Sequence, residues 1–267
     1  SELRPLMEYY INEAEQDPQV LAKLESITRK NTDPREITVM DPACGSGHIL
    51  VYAFDLLHEM YLEAGYPLAD IPQMILENNL YGLDIDERAA QLAAFALMMK
   101  ARERDPQIFG KGVRPNVLVI KESNAVSEEL QSALLEVLEQ GEGLQCSREL
   151  EYLIEVFHNA SEYGSLIRVE EMDLPWLPEA VAKVRERARL GTNASLISGG
   201  ESLSWGDLNQ QGELVRDLVK QAEVMARKYD VVVTNPPYMG TRNMGVKLKN
   251  YLSDHYAKVK TDLLSAF

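Results

Sequence analysis

Two short segments of this 267-residue chain bring together residues able to do chemistry: Asp41-Pro42-Ala43-Cys44-Gly45-Ser46-Gly47 and Asn235-Pro236-Pro237-Tyr238. In the first, Gly45 and Gly47 permit positive φ and close backbone approach, so the loop turns tightly into a helix whose first amides lack intrahelical partners. Such donors suit the carboxylate of an amino-acid ligand, and Asp41 suits its ammonium. A dinucleotide loop would carry a third glycine where Leu50 stands. In the second segment, consecutive prolines fix two φ values and remove two donors. The Asn235 carboxamide and the Pro236 carbonyl are then rigid acceptors for one amino group, and the Tyr238 ring can stack on a planar π system. A conjugated exocyclic amine is a poor nucleophile. Two acceptors pulling on its hydrogens localise its lone pair for in-line attack on a sulfonium methyl carbon, and these bonds tighten as charge develops on nitrogen. Together the segments suit methyl transfer from S-adenosylmethionine to a planar amine, with no covalent enzyme intermediate.

Further candidates lie between them. Asp84 can accept both ribose hydroxyls of such a ligand, Ile85 can pack on its adenine, and Glu122, with Asn124 as a nearby substitute, can accept from the adenine amino group. Blander readings compete: a strand-end carboxylate for Asp84, a polar loop for Lys121-Glu122-Ser123-Asn124, a rigid turn for Asn235 to Tyr238. Cys44 reads as a small packing residue, because no histidine or asparagine pairs with it in a nucleophile pattern. His48 reads as a helix-start or pocket-rim residue. No metal is expected, since the four histidines and two cysteines show no zinc spacing.

The positioning elements follow from the apolar pattern. Leu3, Met7, Tyr10 and Ile11, then Val20, Leu21 and Leu24, predict helix within residues 1–30, punctuated at Asn31 to Pro34. Strands are predicted at 37–40, 80–85, 116–120 and 230–234, with helices at 49–64 and about 87–103 between them. The second helix has little polar face at its centre, so burial against a sheet is expected. Strands alternating with helices predict an α/β sheet with helices on both faces, each polar signature falling beyond a strand's carboxyl end. The interval to Gln221 is too long for a simple crossover and reads as a mainly helical insertion, with runs at 127–140, 148–159, 179–189 and 212–227. The expected organisation is therefore an N-terminal helical segment (1–36), a cofactor-binding half (37–122), the insertion (123–221) and a segment bearing the second signature (222–267).

Charge and cysteines bound the setting. The formal net charge is −15, which argues against a surface that grips a polyanion throughout. Residues 222–267 run the other way, with seven Lys or Arg against four Asp or Glu. No apolar run reaches bilayer-spanning length and the first residues do not open a signal peptide, so a soluble protein of the reducing cytoplasm, without membrane contact, is expected.

On these residues the chain resembles the S-adenosylmethionine-dependent amino-methyltransferases, especially bacterial DNA adenine-N6 methyltransferases and, among them, the large methylases of phage-defence and restriction systems, including the PglX type of BREX defence. Asp41 to Gly47 matches the family's cofactor loop, Tyr81-Gly82-Leu83-Asp84-Ile85-Asp86 its second motif, Lys121 to Asn124 its acidic third motif more loosely, and Asn235 to Tyr238 its catalytic motif. Lys260-Thr261-Asp262-Leu263 to Phe267 resembles the start of the helix that follows. The resemblance implies a Rossmann-like class I methyltransferase sheet, truncated at its C-terminal end; S-adenosylmethionine as cofactor; double-stranded DNA as the intact enzyme's substrate; and other defence proteins or an inhibitor as further partners. Two departures stand out: no aromatic-Thr-Pro segment precedes the loop, and the sequence stops before further strands and a target-recognition domain, implying a fragment of a larger enzyme. RNA or protein-glutamine methylation, DNA cytosine-N4 methylation, or a noncatalytic scaffold are the alternatives.

Overall fold

Short, mainly apolar runs make the strands. In the structure, a computed structural model that describes residues 14–27, 32–141, 144–171, 174, 176–189 and 205–267, these are β1 (Val39–Asp41), β2 (Leu80–Asp84), β3 (Asn116–Val119) and β4 (Val231–Val232). They form one sheet in the order β3-β2-β1-β4, with β1 parallel to both neighbours. Register is held partly by side chains. The Asp230 carboxylate accepts from the Thr38 amide and hydroxyl, both at 2.9 Å, and the Asp230 amide donates to Thr38 Oγ1 at 3.1 Å. This clasp aligns Val39 with Val231 and Met40 with Val232.

The helices are α1 (Pro18–Ile27), α2 (His48–Glu63), α3 (Ile71–Met74), α4 (Glu87–Arg104), α5 (Glu128–Gly141), α6 (Leu144–Val156), α7 (Ala160–Tyr163), α8 (Leu177–Arg189), α9 (Trp205–Ala226), α10 (Val246–His255) and α11 (Leu263–Ala266). Residues 1–13 and 28–30 of the expected N-terminal helix lie outside the described residues, as does Asn31 of the punctuation after it. No helix among the described residues is long and apolar enough to cross a membrane.

The chain forms two units. The sheet-bearing unit comprises described residues up to Gly82, Arg88–Val117 and Tyr229–Thr234. Its core joins Leu50, Phe54, Leu57 and Tyr61 of α2 to Ala93, Leu97 and Ala101 of α4 and to Ile71, Ile75 and Leu76. Ile75–Asn79 winds as a π turn. The buried Asn79 there satisfies three partners: Tyr61 donates its hydroxyl at 2.9 Å, and Nδ2 donates to the carbonyls of Pro34 and Ile37, both at 2.7 Å.

Helix α4 corrects one expectation. Its buried residues are three alanines, Ala90, Ala93 and Ala101, and one leucine, Leu97, while Leu92, Phe95 and Met99 stand 52%, 61% and 42% exposed. A helix packed along one stripe covers only part of its circumference, however apolar the rest.

The helical unit comprises Leu83–Glu87, Leu118–Lys228 and Asn235–Phe267. Leu130, Leu134, Val137 and Leu138 of α5, Leu150 and Leu153 of α6, Val181 and Val184 of α8, and Leu208, Val215 and Leu218 of α9 are buried at helical spacing. A second small core gathers Leu166, Met244, Leu248, Leu252 and Leu263. The buried Gln221 of α9 uses its carboxamide as a peptide would, accepting from Lys121 N at 2.7 Å and donating to Lys121 O at 3.2 Å.

Candidate functional site

The glycine loop leaves β1 with the conformation its residues predict. Gly45 has φ +52° and Gly47 φ +82°. A Cβ on Gly45 would meet nothing within 4 Å, so its backbone faces open space. At Gly47 a Cβ would lie 2.9 Å from Ala93 Cβ and 3.0 Å from its Cα, so only glycine lets α4 approach the start of α2. Gly47 is also the N-cap of α2 and supplies no side-chain cap, which leaves the first-turn amides of His48 and Ile49 as donors to a ligand.

Other loop residues build this shape. Asp41 is 1% exposed and accepts from Ala43 N at 3.2 Å, so its carboxylate braces the loop. Cys44 is buried and forms no disulfide. Its Sγ would lie 3.3 Å from a Cβ on Gly82, and Leu50 Cδ1 would lie 2.8 Å from it. Gly82, to which the sequence gives no role beyond its place in Tyr81-Gly82-Leu83-Asp84, thus lets β2 fit closely against this loop. Ala43 and Pro42 are half-buried, and His48 is exposed at the helix start, as expected.

Hydrogen bonds carry β4 alongside β1, from Val231 N to Thr38 O (3.0 Å) and from Val233 N to Met40 O (2.9 Å). Asp41 and Thr234, both in the sheet-bearing unit, therefore leave the same edge of the sheet from adjacent parallel strands, roughly 5 Å apart.

The remaining candidates belong to the helical unit. Asp84 is half-buried, and its Oδ1 accepts from Asp86 N at 2.9 Å, which fixes the carboxylate at the end of β2. Ile85 is 53% exposed and lies against the backbone of Gly164, where a Cβ would come within 3.3 Å of its Cγ2. Glu122 Oε1 accepts from Ser161 Oγ at 2.8 Å, and Asn124 exchanges hydrogen bonds with Asn159. Ser161 and Asn159 sit inside the insertion, where the sequence offered no chemical pattern to single them out.

In the second signature Pro236 is buried while Asn235, Pro237 and Tyr238 are exposed, Tyr238 by 78%. The Tyr238 hydroxyl donates to Asn235 Oδ1 at 3.2 Å, so tyrosine and asparagine are held together across the prolines. Downstream, Asp262 caps α11 by accepting from Leu264 N at 3.0 Å, in line with the helix start expected there. Among the described residues no group of His, Cys, Asp and Glu could hold a metal ion.

Comparison with known proteins gives this geometry a context. Residues 78–267 match the family model of the Eco57I restriction-modification methylase, and residues 8–112 that of the N-6 DNA Methylase. The whole chain is 39% identical to the adenine-specific methyltransferase BrxX of Escherichia coli O9:H4 (strain HS), covering 22% of that protein. Over 97% of its length it is 34% identical to the adenine-specific methyltransferase PglX of Lacticaseibacillus casei (strain Zhang), covering 20% of it. A putative type II restriction enzyme and methyltransferase of Methanocaldococcus jannaschii is 29% identical over 51% of the chain. The chain thus spans about a fifth of the two longer-matching relatives.

Proposed function

Because the chain belongs to the Eco57I restriction-modification methylase family, we propose that it forms the methyl-transfer core of an adenine-specific DNA methyltransferase acting on double-stranded DNA in phage defence or restriction-modification. The observation that carries this reading is the pairing of β1 with β4, which starts the glycine loop and the Asn235 signature from neighbouring strand ends. Each unit by itself carries residue types that suit S-adenosylmethionine: in the sheet-bearing unit, open space at Gly45 and uncapped amides at the start of α2 for its carboxylate and Asp41 for its ammonium; in the helical unit, Asp84 for its ribose and Ile85, Glu122 and Asn124 for its adenine. When bound, the cofactor supplies an electrophilic methyl group.

Everything else falls to side chains and backbone of this chain. Asn235 Oδ1 and the Pro236 carbonyl accept the two hydrogens of the target N6 amine, drawing its lone pair out of conjugation. Tyr238, exposed and held to Asn235, offers its ring to the face of the base. To accept the amine, Asn235 Oδ1 shares or gives up the tyrosine hydroxyl, an exchange costing on the order of 1 kcal/mol. The product nitrogen then releases its proton to solvent. An adenine within a duplex reaches such a site only by leaving the stack.

The test uses the full-length protein, with cofactor binding by calorimetry and methyl incorporation into DNA measured side by side. Asn235→Ala lowers turnover by about 100-fold or more with cofactor Kd within about threefold, the scale of losing one acceptor that acts in the transition state. Asp84→Ala weakens cofactor binding instead. Equal loss of affinity and turnover on Asn235→Ala contradicts the assignment, and unchanged binding on Asp84→Ala removes that residue from the cofactor site.

A further inference from the structure

Asn159 lies in the insertion between α6 and α7, and it is the one non-glycine residue at positive φ among the described residues, with φ 55° and ψ 32°. Asparagine tolerates this left-handed conformation better than other branched or bulky residues, and a residue kept there is held by its surroundings. Those surroundings are specific. Asn159 N donates to Asn124 Oδ1 at 2.8 Å, while Asn159 Oδ1 accepts both from Asn124 Nδ2 at 3.1 Å and from Lys247 Nζ at 2.8 Å. One carboxamide therefore ties the loop after β3 to the first turn of α10, the helix that follows the Asn235 signature.

The neighbours reinforce both sides. Toward the loop, Ser161 Oγ holds Glu122 Oε1, the buried Ser123 amide donates to Phe157 O at 3.1 Å, and the Ser123 hydroxyl donates to Ile154 O. Toward the C-terminal segment, Tyr163 stacks on Tyr251 of α10 with ring centroids 4.3 Å apart, and the hydroxyls of Tyr251 and Tyr256 both donate to Leu166 O. Residues 154–166 thus contact Ile85, Glu122 and Asn124 as well as α10, all within the helical unit.

We propose that Asn159 is a positioning residue that couples the adenosine end of the cofactor site to α10, the helix that follows the Asn235 signature. This rests on the reading above that Glu122 and Asn124 face the cofactor adenine. Each bond is exposed and small by itself, but the lysine bond is charge-assisted and all three converge on one residue whose backbone conformation they fix. Releasing α10 from Asn159 therefore loosens Asn124, although Lys247 touches no residue assigned to the cofactor.

The test measures S-adenosylmethionine binding to the full-length protein by calorimetry, without DNA. Lys247→Met raises Kd about threefold, and Asn159→Gly, which keeps the left-handed backbone at no steric cost, raises it about tenfold. The double variant binds no more weakly than Asn159→Gly alone, because the link is already gone. Asn159→Asp, which retains an acceptor for Asn124 and Lys247, stays within about twofold of the parent. Lys249→Met removes the same charge from the same helix without touching the network and leaves Kd unchanged. A parent-like Kd for Lys247→Met, or an undiminished Lys247→Met penalty in the Asn159→Gly background, overturns the coupling while leaving the proposed function intact. A full-length parent that fails to bind the cofactor overturns both.

Discussion

The two signatures are built by opposite means. The glycine loop is fixed from outside, by Ala93 against Gly47, by Leu50 and Cys44 against Gly82, and by a buried Asp41 carboxylate bonded to the loop's own backbone. The Asn235 signature is fixed from within, by two prolines and one tyrosine-to-asparagine hydrogen bond on an exposed segment. A site that receives a small charged ligand gains from a preformed cradle, since ordering it on binding would cost affinity. A site that admits a base drawn out of a duplex has to remain open, and its rigidity is confined to the few atoms that aim at the amine.

The largest effect that tests this contrast comes from Gly47→Ala. A positive φ costs roughly 1–2 kcal/mol for a residue with a Cβ, and displacing Ala93 adds about 1–3 kcal/mol, so urea unfolding of the sheet-bearing unit shifts by about 2–5 kcal/mol. A shift below 1 kcal/mol breaks the claim that α4 locks the loop. Next comes alkaline pH, which probes both units. Burial pushes the phenols of Tyr61, in the sheet-bearing unit, and Tyr251, in the helical unit, from 10 up to about 12. A folded-state pKa above the unfolded one means that the stabilisation is complete below pH 10 and is lost as pH rises toward 12. Tyr61→Phe and Tyr251→Phe each flatten that loss, read as the urea midpoint against pH; a profile unchanged in both places the alkaline sensitivity elsewhere. The smallest effect belongs to Tyr238→Phe. Its exposed hydrogen bond is worth less than about 1 kcal/mol, so thermal stability is unchanged and turnover stays within about threefold. A tenfold loss on removing this hydroxyl makes it a participant rather than a brace.

What the sequence revealed was local. β-branched runs, a glycine pair and an Asn-Pro-Pro-Tyr turn each carry their conformation in a few neighbouring residues, and β1, β2, α2 and α4 lie within two residues of their expected bounds. What it concealed depends on distant partners. Asn79, in the polar stretch Glu77-Asn78-Asn79, is fully buried because Tyr61, Pro34 and Ile37 converge on it from elsewhere in the chain. Nothing local marks Asn159, at the end of the run expected at 148–159, as the place where Asn124 and Lys247 meet. Leu92, Phe95 and Met99 mislead the other way, since periodicity shows that a face is apolar but not that anything covers it.

The outer strand carries a practical consequence. Val231 and Val232 of β4 are 44% and 61% exposed and Val233, just beyond the strand, is 40% exposed; among the described residues β4 has β1 on one flank only, and no lysine or proline lies within it. Such a margin is a template on which any extended chain can grow the sheet by another rung. For residues 1–267 handled on their own, the counterweight is the mutual repulsion of molecules bearing a charge of −15, and that repulsion fades beyond about 8 Å at physiological ionic strength. Added salt therefore promotes self-association of this piece, the reverse of what it does to a protein clinging to a nucleic acid by charge.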